Sequence, residues 1–258
     1  MAGNLLVFDN TDQALVVMDI NKKVQSRSYK VHEKIRNPGV ILGRNDTVSL
    51  NEFFGEFEHI INLETGEVTY SPNTVGTVVT SDSSRFYFDM VGTDFKQLYF
   101  ENKAGKKKLS LFDSLRVPRG HVIGADFVSW FNRDEHRLIV YDTEGELYAS
   151  VSVDCFDAIF LGEGENIFCI TESGDPVMLD MNGQLLKMIS EVGIKDGILS
   201  FSHKKNEIYL KDIRVSFSID RFMREVVDVY AYNFKLDRLS LIGESVVGHG
   251  IGFNVLIH

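Results

Sequence analysis

Residues 138–151 read LIVYDTEGELYASV, and this stretch decides the fold. Two apolar runs flank a short polar turn that contains Gly145, which predicts a β-hairpin, because glycine supplies the positive φ angle that tight or bulged turns require. Segments 59–70 (HIINLETGEVTY), 98–111 (LYFENKAGKKKLSL) and 176–189 (PVMLDMNGQLLKMI) have the same form. The turn glycines of the four segments are 39, 40 and 38 residues apart: Gly66, Gly105, Gly145 and Gly183. The chain is therefore a repeat.

A second series of short strands precedes these hairpins. GVIL, GTVVT, HVIG, DAIFL and GILSF are each followed by a polar turn and another apolar run, so each repeat has four predicted strands. The five complete repeats are 39–72, 76–112, 121–153, 157–190 and 197–242. Four strands every 40 residues or so are typical of the blades of a β-propeller.

The two ends of the chain supply one further repeat. Three strands precede the first complete repeat, and one strand, FNVLI, follows the last. Because an open blade would expose unpaired backbone groups, we predict that residues 253–257 pair with residues 5–8. The predicted fold is all-β: one domain over residues 1–258, a six-bladed β-propeller of four-stranded antiparallel blades, closed by the C-terminal strand completing the N-terminal blade.

The last interval between hairpin turns is longer than the others. From Gly183 to the turn near Asp237 it is 54 residues. Ile219, Phe222, Met223 and Val226 fall at helical spacing, and this is the best helical candidate in the chain. We predict an insertion at about 211–228 in the fifth complete blade, between its second and third strands.

The hairpins INLETGEVTY and VYDTEGELYAS resemble the repeat of quinoprotein-like and YVTN-type β-propellers, in which Asp or Asn precedes a Thr-Gly or Glu-Gly turn. As a pattern the resemblance covers the whole chain, and it implies an architecture and not an activity. The chain has one tryptophan, Trp130, so it lacks the repeated tryptophan docking of quinoprotein blades, and no quinone is implied. We predict that Trp130 lies in a core strand.

Charge and cysteine content limit the partners and the compartment. Lys and Arg number 27 against 37 Asp and Glu, a formal charge of −10, which disfavours nucleic acid and anionic membranes and favours a basic protein partner. The alternative is that the acidic excess only maintains solubility. Cys155 and Cys169 lie in apolar runs and are predicted to be buried, inert thiols. Without a signal peptide or membrane span, the chain is predicted to be a cytoplasmic monomer.

Catalytic motifs are absent from the sequence. No two of the seven histidines have the spacing of a zinc protease site, and there is no GxSxG, P-loop or HExxH segment. The predicted inner strands offer few ligands to a central channel, namely Thr77, His121, Asp157, Ser200 and Asn254. Hard cations prefer several carboxylates, so we predict no cofactor, metal or catalytic residue, although a metal site assembled from several blades stays an alternative.

The candidate binding residues lie in the longer loops, which enter each blade or join its second strand to its third. These loops collect the aromatic and arginine side chains that anchor protein interfaces. The predicted binding residues are Arg36, Phe53, Phe54, Asp94, Phe95, Arg116, Arg119, His121, Arg221 and Phe222. In the alternative interpretation, Phe53, Phe95 and Phe222 pack as core between blades.

Two functions of different class follow from these residues. The first is a protein-binding propeller that acts through this loop face, for example an inhibitor or immunity-type partner of a basic effector protein. The second is a propeller hydrolase or lyase with a site at the mouth of the central channel. The residues of that second site would be Arg119, His121, Asp94 and His249.

Overall fold

The structure is a computed structural model. It describes residues 4–9, 12–19, 24–31, 35, 39–42, 46–51, 57–72, 74–81, 83–91, 95–109, 119–123, 126–191, 193–194, 197–202, 206–217, 223–247 and 255–257. Within these ranges there is no α-helix, and a 3-10 turn at Glu163–Glu165 is the one helical element. The all-β prediction is therefore confirmed.

In the described part of the chain, the strands form six four-stranded antiparallel sheets, which we call A to F. Sheet A contains β1 (Asn4–Asp9), β2 (Ala14–Asp19), β3 (Val24–Lys30) and β24 (Val255–Ile257). Sheet B contains β4 (Gly39–Leu42), β5 (Thr47–Asn51), β6 (Phe57–Asn62) and β7 (Val68–Pro72). Sheet C contains β8 (Thr74–Ser81), β9 (Ser84–Val91), β10 (Phe95–Asn102) and β11 (Gly105–Lys108).

The remaining sheets follow in chain order. Sheet D contains β12 (Arg119–Ile123), β13 (Phe127–Asn132), β14 (Arg137–Asp142) and β15 (Leu147–Ser152). Sheet E contains β16 (Asp157–Phe160), β17 (Ile167–Ile170), β18 (Pro176–Leu179) and β19 (Leu185–Met188). Sheet F contains β20 (Gly197–Ser202), β21 (Glu207–Phe217), β22 (Met223–Asn233) and β23 (Arg238–Val247). Sheets B to F thus coincide with the five predicted repeats to within a few residues.

Sheet A is composed of both ends of the chain. Its strand order is β24-β1-β2-β3, and β24 is antiparallel to β1 with Leu5 opposite Ile257 and Val7 opposite Val255. Residues 253 and 254 of the predicted closing strand lie outside the described residues. The C-terminal segment thereby covers an edge of β1 that would otherwise present unpaired N–H and C=O groups.

Sheet F corrects the predicted insertion. Strands β21 and β22 have 11 residues each and pair in continuous register from Glu207 opposite Asn233 to Phe217 opposite Met223. Most of the extra length therefore extends two paired strands, and Met223 and Val226 belong to a strand and not to a helix. The β-branched valines of MREVVDVY favour extended backbone, and cross-strand hydrogen bonding overrides the helical spacing. Residues 219 and 222 lie outside the described residues.

Neighbouring sheets pack through large apolar side chains. Trp130 on β13 is fully buried and meets Phe88 of sheet C edge to face, with 5.2 Å between ring centroids. The prediction of a core strand at this position is confirmed. Sheets E and F meet in the same way through Phe168 and Tyr232, whose ring centroids are 6.0 Å apart. Aromatic pairs of this kind stabilise the packing beyond the area that they bury.

The repeated hairpin turn is held by an Asn or Asp side chain. Asp142 Oδ1 accepts hydrogen bonds from the backbone N–H groups of Glu144 and Glu146, at 2.9 and 2.8 Å. The equivalent residues of the other described turns accept in the same way: Asn62, Asn102, Asp180 and Asn233. An Asx turn of this type organises the chain reversal locally. In sheet F, which has no turn glycine, Asp237 takes the positive φ of 50°.

A basic side chain connects alternate sheets to the turn of the next sheet. The Arg27 guanidinium of β3 donates to the Leu63 carbonyl of sheet B at 2.9 Å. In sheet C, Lys107 Nζ lies 2.6 Å from Glu146 Oε1 of sheet D.

Lys187 of sheet E makes the third connection, to Asp237 of sheet F. These cations occupy the same register position, opposite the residue two before the Asx residue, where sheets B, D and F have Thr69, Ala149 and Ser240. Such exposed contacts contribute little to stability. They do fix how each hairpin sits against the next sheet.

The two cysteines are not free thiols. Cys155 and Cys169 are both buried, as predicted, but they form a disulfide with their Cα atoms 6.1 Å apart. Cys155 lies in the connector after β15, and the Phe156 N–H donates to the Ile170 carbonyl at 2.7 Å, which holds the connector beside β17. A separation of 14 residues across two elements gave no sign of this proximity. The disulfide also removes the argument from free thiols for a reducing compartment.

Candidate functional site

The predicted binding residues are only partly described. Phe95 is the first residue of β10, while Arg119 and His121 lie on β12, where they pair with Phe131 and Ser129. The other predicted residues lie outside the described residues: Arg36, Phe53, Phe54, Asp94, Arg116, Arg221 and Phe222. His249, of the alternative catalytic set, also lies outside them. These assignments stay predictions.

The backbone topology brings Phe95 and Arg119 to equivalent ends of their sheets. In a four-stranded antiparallel meander, the starts of the first and third strands lie at the same end as the finishes of the second and fourth. Phe95 begins the third strand of sheet C, and Arg119 begins the first strand of sheet D. We call this the loop end. Strand β12 also contacts β4, β8 and β20, so it lies where several sheets converge.

The described loop end of sheets D and E is centred on Arg133. Its guanidinium carbon lies 3.9 Å from the centroid of the Phe156 ring, and its Nη2 lies 2.9 Å from Glu172 Oε2. Arg133 comes from the β13–β14 loop, Phe156 from the connector into sheet E, and Glu172 from the β17–β18 loop. A cation held over an aromatic face and paired with a carboxylate is well oriented for recognition at a protein surface. Only the fold brings these three residues together, so the sequence did not identify Phe156 or Glu172.

The β13–β14 loop is rigidly shaped around Arg133. Asn132 is buried, and its Oδ1 accepts hydrogen bonds from the backbone N–H groups of Asp134 at 2.9 Å and Glu135 at 3.2 Å. His136 has a φ of 48° and places its Nδ1 3.5 Å from Asp154 Oδ1. The loop therefore presents alternating charges from a fixed backbone, in the arrangement of an interaction surface.

Two of the polar residues predicted to line a channel join neighbouring sheets. Thr77 of sheet C is buried, and its N–H donates to Glu58 Oε1 of sheet B at 2.8 Å, while its hydroxyl donates to Glu58 Oε2. Asp157 of sheet E accepts from the Ile198 N–H of sheet F at 2.8 Å. These carboxylates satisfy backbone donors of the next sheet. Among the described residues, no group of three His, Cys, Asp or Glu is placed to hold a metal ion.

Comparisons with known proteins show the fold and no family. No protein-family model matches the chain. Over 45 residues it is 47% identical to a 2,3,4,5-tetrahydropyridine-2,6-dicarboxylate N-succinyltransferase of Nitrosomonas eutropha. That match covers 17% of this chain and spans only 16% of the length of that curated relative, so it carries no argument about function.

Solved structures match almost the whole chain at low identity. A streptogramin B lyase matches with a TM-score of 0.58 and 9% identity, covering 99% of this chain and 90% of that one. A chain of a nidogen/laminin complex matches with a TM-score of 0.59 and 13% identity, covering 99% and 97%.

A protein of unknown function from Bacteroides caccae matches with a TM-score of 0.58 and 10% identity, covering 100% and 99%. None of the helical segments in the described ranges could span a bilayer. The comparisons lend no support to an inhibitor or immunity role. Together with the repeated four-stranded sheets, the likenesses show that the chain has a β-propeller fold of a generic type.

Proposed function

We propose that the six sheets are the blades of one closed six-bladed ring. The strand contacts that support it run from sheet to sheet: β24 with β4, β4 with β8, β8 with β12, β13 with β16, β16 with β20, and β20 with β24. Each contact joins successive sheets, and the last returns to the strand that begins sheet A. The pairing of β24 with β1 would close the ring, because it joins the two ends of the chain in one blade.

We propose that this ring is a protein-binding propeller that acts through its loop end. The observation that carries the proposal is Arg133, held over Phe156 and paired with Glu172, at the end where Phe95 and Arg119 begin their strands. Arginine and aromatic side chains are enriched in the anchors of protein interfaces. With a formal charge of −10, the chain would attract a basic partner. Inhibition of a basic effector is one form of this function; the monomeric state and the cytoplasmic location stay predictions.

Affinity capture with charge-reversed variants tests the loop end. We expect a partner retained by the wild-type chain to be lost, by about tenfold or more, with Arg133→Glu and with Phe54→Asp. Lys103→Glu is the matched control, because Lys103 is exposed in a hairpin turn at the opposite end of sheet C. Circular dichroism and thermal melts verify folding of each variant. Equal capture by all variants would show that the loop end is the wrong face.

The second candidate is a lyase or hydrolase with its site at the channel mouth. It is favoured by the full-length likeness to a streptogramin B lyase and by the position of Arg119 and His121 on β12. Incubation with a streptogramin B substrate, followed by mass spectrometry, separates the two functions. Turnover by the wild-type chain that is abolished in His121→Ala would favour the enzyme, whereas no turnover together with loop-end capture would favour the binder.

A further inference from the structure

Sheets E and F expose a group of large apolar side chains on their outer side. On β19, Leu185, Leu186 and Met188 have 59%, 55% and 51% of their surface exposed, and Leu236 in the adjoining turn of sheet F has 73% exposed. The Lys187–Asp237 ion pair connects β19 to that turn, so the four apolar residues belong to one region. We call these four residues the outer apolar patch. Exposed apolar groups that cluster in this way mark interaction sites.

The outer apolar patch is suited to side-chain docking and not to strand addition. β19 has only four residues and is irregular, because Met178 pairs with Lys187 whereas the next residue, Leu179, pairs with Leu185. Leu186 is therefore the extra residue of a bulge. Bulges and short edge strands are devices that prevent pairing with a further strand. A ligand would contact the leucine and methionine side chains.

The charge around the patch indicates the chemistry of its ligand. Residues 126–191, which comprise sheets D and E and their connections, contain 14 Asp and Glu and three Lys and Arg, a formal charge of −11. The rest of the chain carries +1, so essentially all of the acidic excess lies in these two sheets. Asp180 beside β19 is held ionised, because the backbone N–H of Gln184 lowers the pKa of its carboxyl. An apolar patch within such a field selects an apolar ligand that carries positive charge.

The same charge argues against two other occupants. A second copy of this chain would bring two surfaces of the same sign together, which costs free energy at low ionic strength. An anionic membrane surface would be repelled for the same reason. We propose that the outer apolar patch docks a basic amphipathic segment of a partner protein, with its apolar side chains on the patch and its Lys or Arg side chains near the carboxylates of sheets D and E. This surface is separate from the loop end, so either site can fail alone.

A designed peptide tests the proposal directly. The probe is a fluorescently labelled helical peptide of about 18 residues, with leucine at helical spacing and lysine or alanine elsewhere. Fluorescence anisotropy should show saturable binding to the full chain that weakens as salt is added. A scrambled peptide of the same composition should bind at least about tenfold more weakly, and a peptide with glutamate in place of lysine should not bind.

Two sets of variants locate the binding. Leu186→Ser and Leu236→Ser should each weaken binding of the leucine–lysine peptide by about tenfold, since both side chains are exposed and their loss leaves the fold intact. Tyr70→Ser, at an exposed aromatic residue of sheet B, and Arg133→Gln, at the loop end, should change binding by less than about twofold. Equal binding of the scrambled peptide, or unchanged binding by Leu186→Ser and Leu236→Ser, would overturn the proposal. A concentration-dependent dimer that Leu186→Ser abolishes, or binding to phosphatidylserine vesicles, would also overturn it.

Discussion

Strands β11 and β19 occupy the same position in sheets C and E but have opposite chemistry. Both are the fourth and outermost strand, both have four residues, and all eight residues are exposed. β11 reads Gly-Lys-Lys-Lys, whereas β19 reads Leu-Leu-Lys-Met. The shared residue is the lysine that reaches the next sheet, Lys107 in β11 and Lys187 in β19. The fold requires that lysine, and it leaves the other exposed positions free to differ.

The differing positions have a different effect on each surface. In sheet C, Lys106 Nζ lies 3.8 Å from the ring centroid of Tyr99 and 5.1 Å from that of Tyr87, so the strand covers its own aromatic surface with charge. Charged edge strands resist association with other chains. In sheet E the equivalent surface is apolar and lies in the most acidic part of the chain. The comparison distinguishes a protected edge from an edge available for binding.

Removal of residues 251–258 should have the largest effect, because it tests whether sheets C and E belong to one ring at all. The deletion removes β24, which pairs with β1 and contacts β4 and β20. We expect the melting temperature to fall by about 10 °C or more, since about 1 kcal/mol shifts it by 2–4 °C in a domain of this size. Differential scanning calorimetry measures the change. A melting temperature equal to that of the full chain would exclude closure through this strand.

The disulfide distinguishes sheet E from sheet C, which contains no cysteine. Because Cys155 and Cys169 enclose a short loop, replacing both with serine should lower the free energy of unfolding by about 3 kcal/mol. Urea titration of the variant and of the wild-type chain measures the difference. Alkylation in urea without reductant, followed by mass spectrometry, is the accompanying control. Two alkylated cysteines in the unreduced protein would restore the original prediction of free thiols.

A buried carboxylate joins sheets on each side of the molecule, Glu58 between sheets B and C and Asp157 between sheets E and F. Glu58→Leu should cost about 2 kcal/mol, because the Thr77 N–H and hydroxyl would lose their acceptor in a buried site. Asp157→Leu should cost a similar amount through the Ile198 N–H. Denaturant unfolding monitors both variants, with Glu144→Leu, an exposed turn residue, as the control. A cost no greater than that of the control would show that these carboxylates do not join the sheets.

The repeat could be predicted from the sequence because the same local chemistry recurs at a fixed period. Glycine marked four of the hairpins, but the structure shows that the Asx residue is the more general signal, since Asn233 organises a turn without glycine. Had Asn62, Asn102, Asp142, Asp180 and Asn233 been aligned as Asx residues, the turn of sheet F would have been as clear as the others.

Contacts between distant segments could not be predicted in this way. Phe156 and Glu172 meet Arg133 only because two loops and a connector converge, and no spacing in the chain records that. The disulfide was missed for the same reason. Exposure on an outer strand is equally a property of the assembled sheets: PVMLDMNGQLLKMI predicts a hairpin but does not indicate that Leu185 and Leu186 remain uncovered. The −11 charge of residues 126–191, by contrast, was readable from the sequence alone.

The lysine that β11 and β19 share should give the smallest effect, and its pH dependence should differ between the two strands. Lys187, and then the Tyr232 hydroxyl, lower the pKa of Asp237 below its ordinary value of 3.8, while burial and the bond to Asp237 raise the pKa of Tyr232. A carboxyl whose pKa is lowered by folding stabilises the folded state above its unfolded pKa and loses this contribution as the pH falls through its folded pKa. Lys187→Met should therefore lower the melting temperature by about 1 °C at neutral pH and leave it unchanged well below pH 3.8. Lys107→Met is the matched variant in β11, and its effect should vary less with pH between these limits, because Lys107 also donates to the Gly145 carbonyl, which does not titrate. If the effect of Lys187→Met were the same at both pH values, Asp237 would not be the group that Lys187 holds.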